Sequence, residues 1–167
     1  MLERGREMVS FSYEHLVPIR HYVHQHPELS GQEYQTTAYL KAYLEKLGVR
    51  ILNSGLKTGL IAEIGSGKPV IALRADIDAL PIQENTGLDY QSQTPGVMHA
   101  CGHDFHQVSL LGAAEVLKGM ETDLKGTVRL IFQPAEETSE GASAVLATGL
   151  LEDVQAILGF HNMPSLP

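Results

Sequence analysis

Tryptophan is absent from this 167-residue chain, and cysteine occurs once, at Cys101. One cysteine excludes an intrachain disulfide, so an apolar core has to hold the fold, and a lone thiol fits a reducing compartment. Cationic residues are scarce: 12 Lys and Arg stand against 20 Asp and Glu, a formal net charge of −8. That balance excludes the basic stripe on which nucleic-acid binding depends. Long hydrophobic runs are missing too. None nears the roughly 20 residues of a membrane span. The opening MLERGREMVSFSYEHLVPIR is broken by charges where a signal peptide carries its apolar stretch. The expectation is a cytoplasmic protein that engages neither nucleic acid nor membrane. What is there is an ordinary globular composition, 43% hydrophobic and 19% charged, in a chain long enough to bury one core.

Helical spacing comes first along the chain. Ser12 offers a cap for a helix carrying Leu16, Ile19 and Val23 and ending before Pro27. Pro18 suits a helix interior badly, which moves the expected start to that residue. A second helix is predicted from about Glu33 to Leu47, with Ala38, Tyr39, Ala42, Tyr43 and Leu47 at helical spacing and Gly48 as its stop. Strand signals follow in VRIL, GLIAEIG and PVIALRAD, the last two separated by SGK, which reads as a tight turn. Ile77 to Ala100 has no clear period. Beyond it FHQVSLLGAAEVLKGM reads as a buried helix, GTVRLIFQ as a core strand, EGASAVLATGLL as a helix and VQAILGF as a strand. Helix and strand alternate and the strands are almost continuously apolar. That pattern predicts an α/β fold, a mostly parallel sheet sandwiched by helices.

The residues able to do chemistry sit at strand ends. RADIDALP follows PVIAL, PAEETSEG follows VRLIFQ, and HNMP follows AILGF. Ligands of open α/β sheets bind beyond the carboxyl ends of the strands, so these loops and the cysteine segment are expected to converge. In MHACGHDFH, Cys101 and His103 flank Gly102, which lets the backbone bend and both side chains reach one ion. A helix starting near Asp104 would turn its positive end toward the thiol and favour the thiolate, the form that binds metal. A lone buried cysteine is more often inert packing, but three histidines crowd this segment. Adjacent Glu136 and Glu137 usually make a solvated turn. After an apolar strand they divide the labour of a hydrolytic metal site, one carboxylate as ligand and the other as base. His161 ends the strand AILGF, where a lone histidine is commonly only hydrogen-bonded. Cys101, His103, one of the two glutamates and His161 form a sulfur, nitrogen and oxygen donor set. It suits zinc, cobalt, nickel or manganese rather than calcium. The rival chemistry, with Cys101 as nucleophile and His161 as base, leaves both glutamates without a task.

Five segments then fall in order: HQHPELSGQE (24–33), RADIDALPI (74–82), MHACGHDFH (98–106), IFQPAEET (131–138) and GFHNMP (159–164). Together they resemble the metal-dependent amidohydrolases of the aminoacylase–carboxypeptidase superfamily. The similar branch contains hippurate hydrolase, the plant auxin-conjugate hydrolases and the bacterial N-acetyldiaminopimelate deacetylases. The resemblance implies hydrolysis of the amide bond of N-acyl amino acids with two divalent ions, zinc, manganese, nickel or cobalt. It implies Cys101, His103, Glu137 and His161 as ligands, the thiolate bridging the ions, and Glu136 as general acid/base. His24, Asp76, Asp78, His99, Asp104 and His106 fall in the same segments and are expected to support or orient ligands; His26 and Pro27 are expected to help end the first helix. Residues 14–167 correspond to the N-terminal part of the catalytic domain, with 1–13 as an extension.

Full-length members of that branch are far longer and often homo-oligomeric. They add a lid and dimerisation domain and return to complete the sheet and supply one more histidine ligand. The resemblance therefore implies that the chain by itself binds metal more weakly than a full-length relative and has little or no hydrolase activity. A non-catalytic fragment is the competing expectation. A peptidase or carbamoyl-amidase is a third, lowered because relatives of that kind tend to carry aspartate where this chain has its cysteine segment.

Overall fold

In the computed structural model residues 2–163 are described, with side chains from Glu14 onward. The elements run α1 (Leu2–Gln25), α2 (Tyr34–Lys46), β1 (Arg50–Ile51), β2 (Leu60–Gly65), β3 (Val70–Asp76), α3 (His103–Gly119), β4 (Thr127–Gln133), α4 (Gly141–Ala147) and β5 (Val154–Gly159). Among the described residues no helix is long and apolar enough to cross a membrane.

The strands form one sheet in the order β1-β2-β4-β3-β5. β3 runs parallel to both β4 and β5, whereas β2 is antiparallel to β4 and to β1. Four strands therefore point one way and β2 the other. The SGK segment is not a hairpin turn, because β4 lies between β2 and β3. The parallel β3–β4 pair needs a crossover, and α3 supplies it.

Side chains of β2 and β4 alternate between the two faces. Leu60, Ala62, Ile64, Leu130 and Phe132 meet Leu40 and Leu44 of α2 and Leu110, Leu111 and Ala114 of α3. On the opposite face Ile61, Ala72 and Ile131 meet Val145 of α4. Both faces are covered, which is why these strands read as nearly continuous apolar runs, broken within β2 and β4 by Glu63 and Arg129, which pair with each other. β5 departs from this. It is an edge strand, with Ile157 53% and Leu158 62% exposed.

Two helices differ from their predicted form. α1 starts at Leu2, not at Ser12 or Pro18, and holds Pro18 inside it. That proline is exposed, so the N–H it lacks is missing from the side of the helix away from the core. α2 buries Thr36, Leu40 and Leu44, while Ala38 and Ala42 face outward. Alanine is small enough to sit on either side, so the two leucines set the buried stripe.

The end of α1 is fastened to the start of α3. His24 bonds through Nδ1 to Asp104 at 2.8 Å and through Nε2 to Glu84 at 3.2 Å. Arg20 lies 2.6 Å from the same Asp104 carboxylate. Two carboxylates that can only accept require both ring nitrogens to donate. The hydrogen bond to Asp104 accordingly raises the His24 pKa above its ordinary 6.5, against the opposing effect of burial. A group raised in the folded state stabilises fully below its unfolded pKa and loses that contribution as pH climbs through the folded one. Melting temperature is therefore expected to fall as pH rises above about 6.5, and to fall less steeply in His24→Gln. Parallel melting curves for the two proteins across that range would overturn the charged assignment of His24.

Candidate metal centre

The carboxyl ends of β3, β4 and β5 lie on one edge of the sheet, and the start of α3 is packed against them. Asp78, two residues past β3, organises the centre. Its Oδ2 accepts from the Ser30 hydroxyl at 2.6 Å and from the Glu137 N–H at 3.0 Å. Its Oδ1 lies 3.2 Å from His103 Nδ1, which is also 2.9 Å from the Asp78 carbonyl. Burial opposes ionisation of Asp78, but the bonds from His103, Ser30 and the Glu137 N–H outweigh it and hold the carboxyl down at about 2. One carboxylate thus fixes the ring of His103 and the backbone of Glu137 together.

With Nδ1 taken, His103 presents Nε2 to the centre. That atom is buried and has no hydrogen-bond partner, and the same is true of Glu137 Oε1. The two stand 3.7 Å apart. This is too long for a hydrogen bond, yet two ligands each about 2.0–2.2 Å from one ion can be up to about 4.4 Å apart. Orphaned donors and acceptors in a folded interior call for an explanation, and a shared cation provides one. Cys101 Sγ completes the group: the donor atoms of Cys101, His103 and Glu137 lie within 4.8 Å of one another. His161 joins from the end of β5, its Nε2 3.5 Å from Cys101 Sγ. The four predicted ligands are brought together.

A second cluster with the same spacing comprises Asp76, His103, His106 and His161. In it, Asp76 and His106 are already committed. His106 Nδ1 is 2.6 Å from Asp76 Oδ1, and its Nε2 accepts from the Asn162 N–H at 3.0 Å. Asp76 also pairs with Arg74 at 2.6 Å. These bonds seat the turn that carries His161. Asn162 in turn packs on Gly102, where a Cβ would come within 2.7 Å of its amide. Gly102 is left-handed, with φ 88°, so both conformation and space favour glycine between Cys101 and His103.

Glu136 is the freer carboxylate. Its side chain is 36% exposed against 22% for Glu137, and its Oε2 is 3.8 Å from His103 Nε2. Two expectations need correction. Any pull of the start of α3 toward the thiolate is outweighed: burial, then the nearby Glu137, Glu136 and Asp76 carboxylates, push the Cys101 thiol up to about 12. Only a cation among these groups would reverse that balance. His99 has no partner on either ring nitrogen. Burial drives its pKa down to about 4, so it is a neutral residue packed beside the site and orients no ligand. His26 behaves as expected, its Nδ1 bonding the Tyr22 carbonyl at 2.7 Å where α1 ends. Asn162 lies inside one of the quoted segments, but nothing in its spacing marks it as a site residue.

An α/β sheet with a thiol and unpartnered nitrogen and oxygen atoms gathered at the carboxyl ends of its strands has the layout of a metal-site scaffold of the hydrolytic kind. Residues 72–167 match Peptidase family M20/M25/M40, and the chain belongs to that family. It is 53% identical over 153 residues to N-acetyl-L-cysteine deacetylase of Bacillus subtilis, a match spanning 90% of this chain and 37% of that protein. It is 48% identical over 150 residues to the IAA-amino acid hydrolase ILR1-like 5 of Arabidopsis thaliana, spanning 89% of this chain and 34% of the relative. The crystal structure of YXEP from Bacillus subtilis, a dinuclear metal-binding peptidase of the M20 family, superposes with a TM-score of 0.91 at 53% identity. That superposition covers 95% of this chain and 45% of YXEP. The chain thus spans well under half the length of the relatives it matches.

Proposed function

We propose that residues 14–167 form part of a catalytic metallohydrolase domain that cleaves the amide bond of N-acyl amino acids. Cys101, His103, Glu137 and His161 hold divalent metal in this reading, and Glu136 is the general acid/base. The observation that carries it is the pair of buried, unpartnered atoms, His103 Nε2 and Glu137 Oε1, facing each other at 3.7 Å. The names of the deacetylase and the IAA-amino acid hydrolase support the substrate class, and the dinuclear YXEP supports two ions. Zinc, manganese, nickel and cobalt all suit the donor set. The proposed setting is the cytoplasm, where the thiol ligand stays reduced.

When bound, the metal supplies Lewis-acid activation of water and of the amide carbonyl. The chain's own residues do the rest. Asp78 keeps His103 in the tautomer that offers Nε2. Glu136 stands free to take a proton from the attacking water and to return it to the leaving amine nitrogen. The products are a carboxylic acid and a free amino acid.

The test has two arms. Protein purified without added metal is expected to carry a first-row metal by elemental analysis, and Cys101→Ala to carry far less. A hybrid in which this chain replaces the matching segment of the Bacillus subtilis deacetylase is expected to hydrolyse N-acetyl amino acids, to stop on chelation and to recover with added divalent ion. Hydrolysis that survives chelation but dies on thiol alkylation would replace the metal reading with a thiol nucleophile.

A further inference from the structure

The segment HQHPELSGQE ends in a residue the chemistry above does not use. Glu33 is the N-cap of α2 and is fully buried, at 0% exposure. Its carboxylate does not cap the helix. Oε1 instead accepts from the N–H of Ala135, 102 positions away in sequence, at 2.7 Å. Oε2 is buried with no partner. A buried carboxylate left half-satisfied is costly, so its one bond carries weight.

Ala135 is one of two described non-glycine residues with positive φ, at 48°. L-residues adopt that region rarely, and the surroundings have to impose it. Here both flanking peptides are held. Glu33 takes the N–H on one side. On the other the Ala135 carbonyl accepts from the Gly141 N–H at 3.0 Å. Gly141 can come this close only because it has no side chain, since a Cβ there would lie 1.6 Å from the Pro134 carbonyl oxygen. The next two residues are Glu136 and Glu137. The direction in which both carboxylates leave β4 follows from the left-handed turn at Ala135.

We infer that Glu33 is a positioning residue: by holding Ala135 left-handed it aims the Glu136–Glu137 pair at the metal centre. The inference rests on Glu137 being a metal ligand. Loss of the Glu33 acceptor lets Ala135 relax toward ordinary φ and swings Glu137 out of line with His103 and Cys101. A glycine at position 135 adopts positive φ without help, so it removes the need for Glu33.

The test is Co(II) binding by the chain, read by competition with a chromophoric chelator and by the thiolate-to-cobalt absorption, with metal-free melting as the control for folding. Glu33→Ala is expected to weaken binding by about 10- to 100-fold, the usual effect of losing a residue that orients a ligand. Glu33→Asp, too short to reach Ala135, is expected to do the same and covers the case in which the alanine variant fails to fold. Glu33→Gln keeps an acceptor and should bind within about threefold of wild type. The Glu33→Ala/Ala135→Gly double variant should recover most of the affinity. Wild-type affinity in both Glu33→Ala and Glu33→Asp, or no recovery in the double variant, would overturn the inference. Glu137→Ala separates it from the reading beneath it. Unchanged Co(II) affinity there would remove the ligand itself, whereas a weakened Glu137→Ala beside an intact Glu33→Ala would remove only the positioning role.

Discussion

His103→Ala is expected to abolish measurable metal binding by the chain. The four candidate ligands do not contribute alike. His103 is the only one with no exposure at all, and it is shared by both clusters whose spacing suits an ion. A four-ligand structural zinc site is worth about 10–16 kcal/mol, so an average ligand accounts for roughly 3 kcal/mol, or a hundredfold or more in affinity. Removing a residue that serves two clusters should cost more than that average. Isothermal titration with zinc or cobalt reads the effect directly, and an affinity within about threefold of wild type would show that the donors gather for another reason. The metal-free protein is expected to lose stability as well. Asp78 and Asp76 are held ionised partly by His103, and a cavity would replace a fully buried ring. His103→Gln is the milder companion, preserving bulk while withdrawing the ring nitrogen.

Much of this arrangement is legible in the sequence, for identifiable reasons. The strands GLIAEIG, PVIALRAD and GTVRLIFQ announce themselves because both faces of the sheet are covered and most positions are apolar, with Glu63 and Arg129 paired to each other across β2 and β4. The convergence of RADID, PAEE and HNMP follows from the parallel relation of β3, β4 and β5. What sequence could not supply is which strand neighbours which. β4 inserts between β2 and β3 because α3 carries the chain across the sheet, and no local pattern encodes that. Charge was misread for a similar reason. A helix start beside Cys101 suggests a thiolate, but the carboxylates of Asp76, at the end of β3, and of Glu136 and Glu137, in the turn after β4, act on the sulfur in space. Their effect appears only once the loops are folded together. Glu33 was hidden in the same way: it reads as the first residue of a helix, and its contact with Ala135 spans most of the chain.

In the hybrid with the deacetylase, Glu136→Gln is expected to retain metal and lose hydrolysis. The geometry separates the two adjacent glutamates. Glu137 has its backbone N–H pinned to Asp78 and its Oε1 buried opposite His103 Nε2, so a change there disturbs the ligand set. Glu136 is more exposed and its carboxylate accepts no hydrogen bond among the described contacts, so glutamine fits in its place without loss of a partner. What glutamine cannot do is accept a proton from water and later deliver it to the amine. General acid/base groups contribute about 10²- to 10⁴-fold, and the fall in kcat should lie in that range with KM changed little, because the lost interaction belongs to the transition state. Metal content, measured on the same preparation, should equal that of the unmodified hybrid. If kcat survives the substitution, Glu136 is not the base. If metal content falls with kcat, Glu136 and Glu137 have exchanged roles, and the corresponding Glu137→Gln variant would then keep its metal.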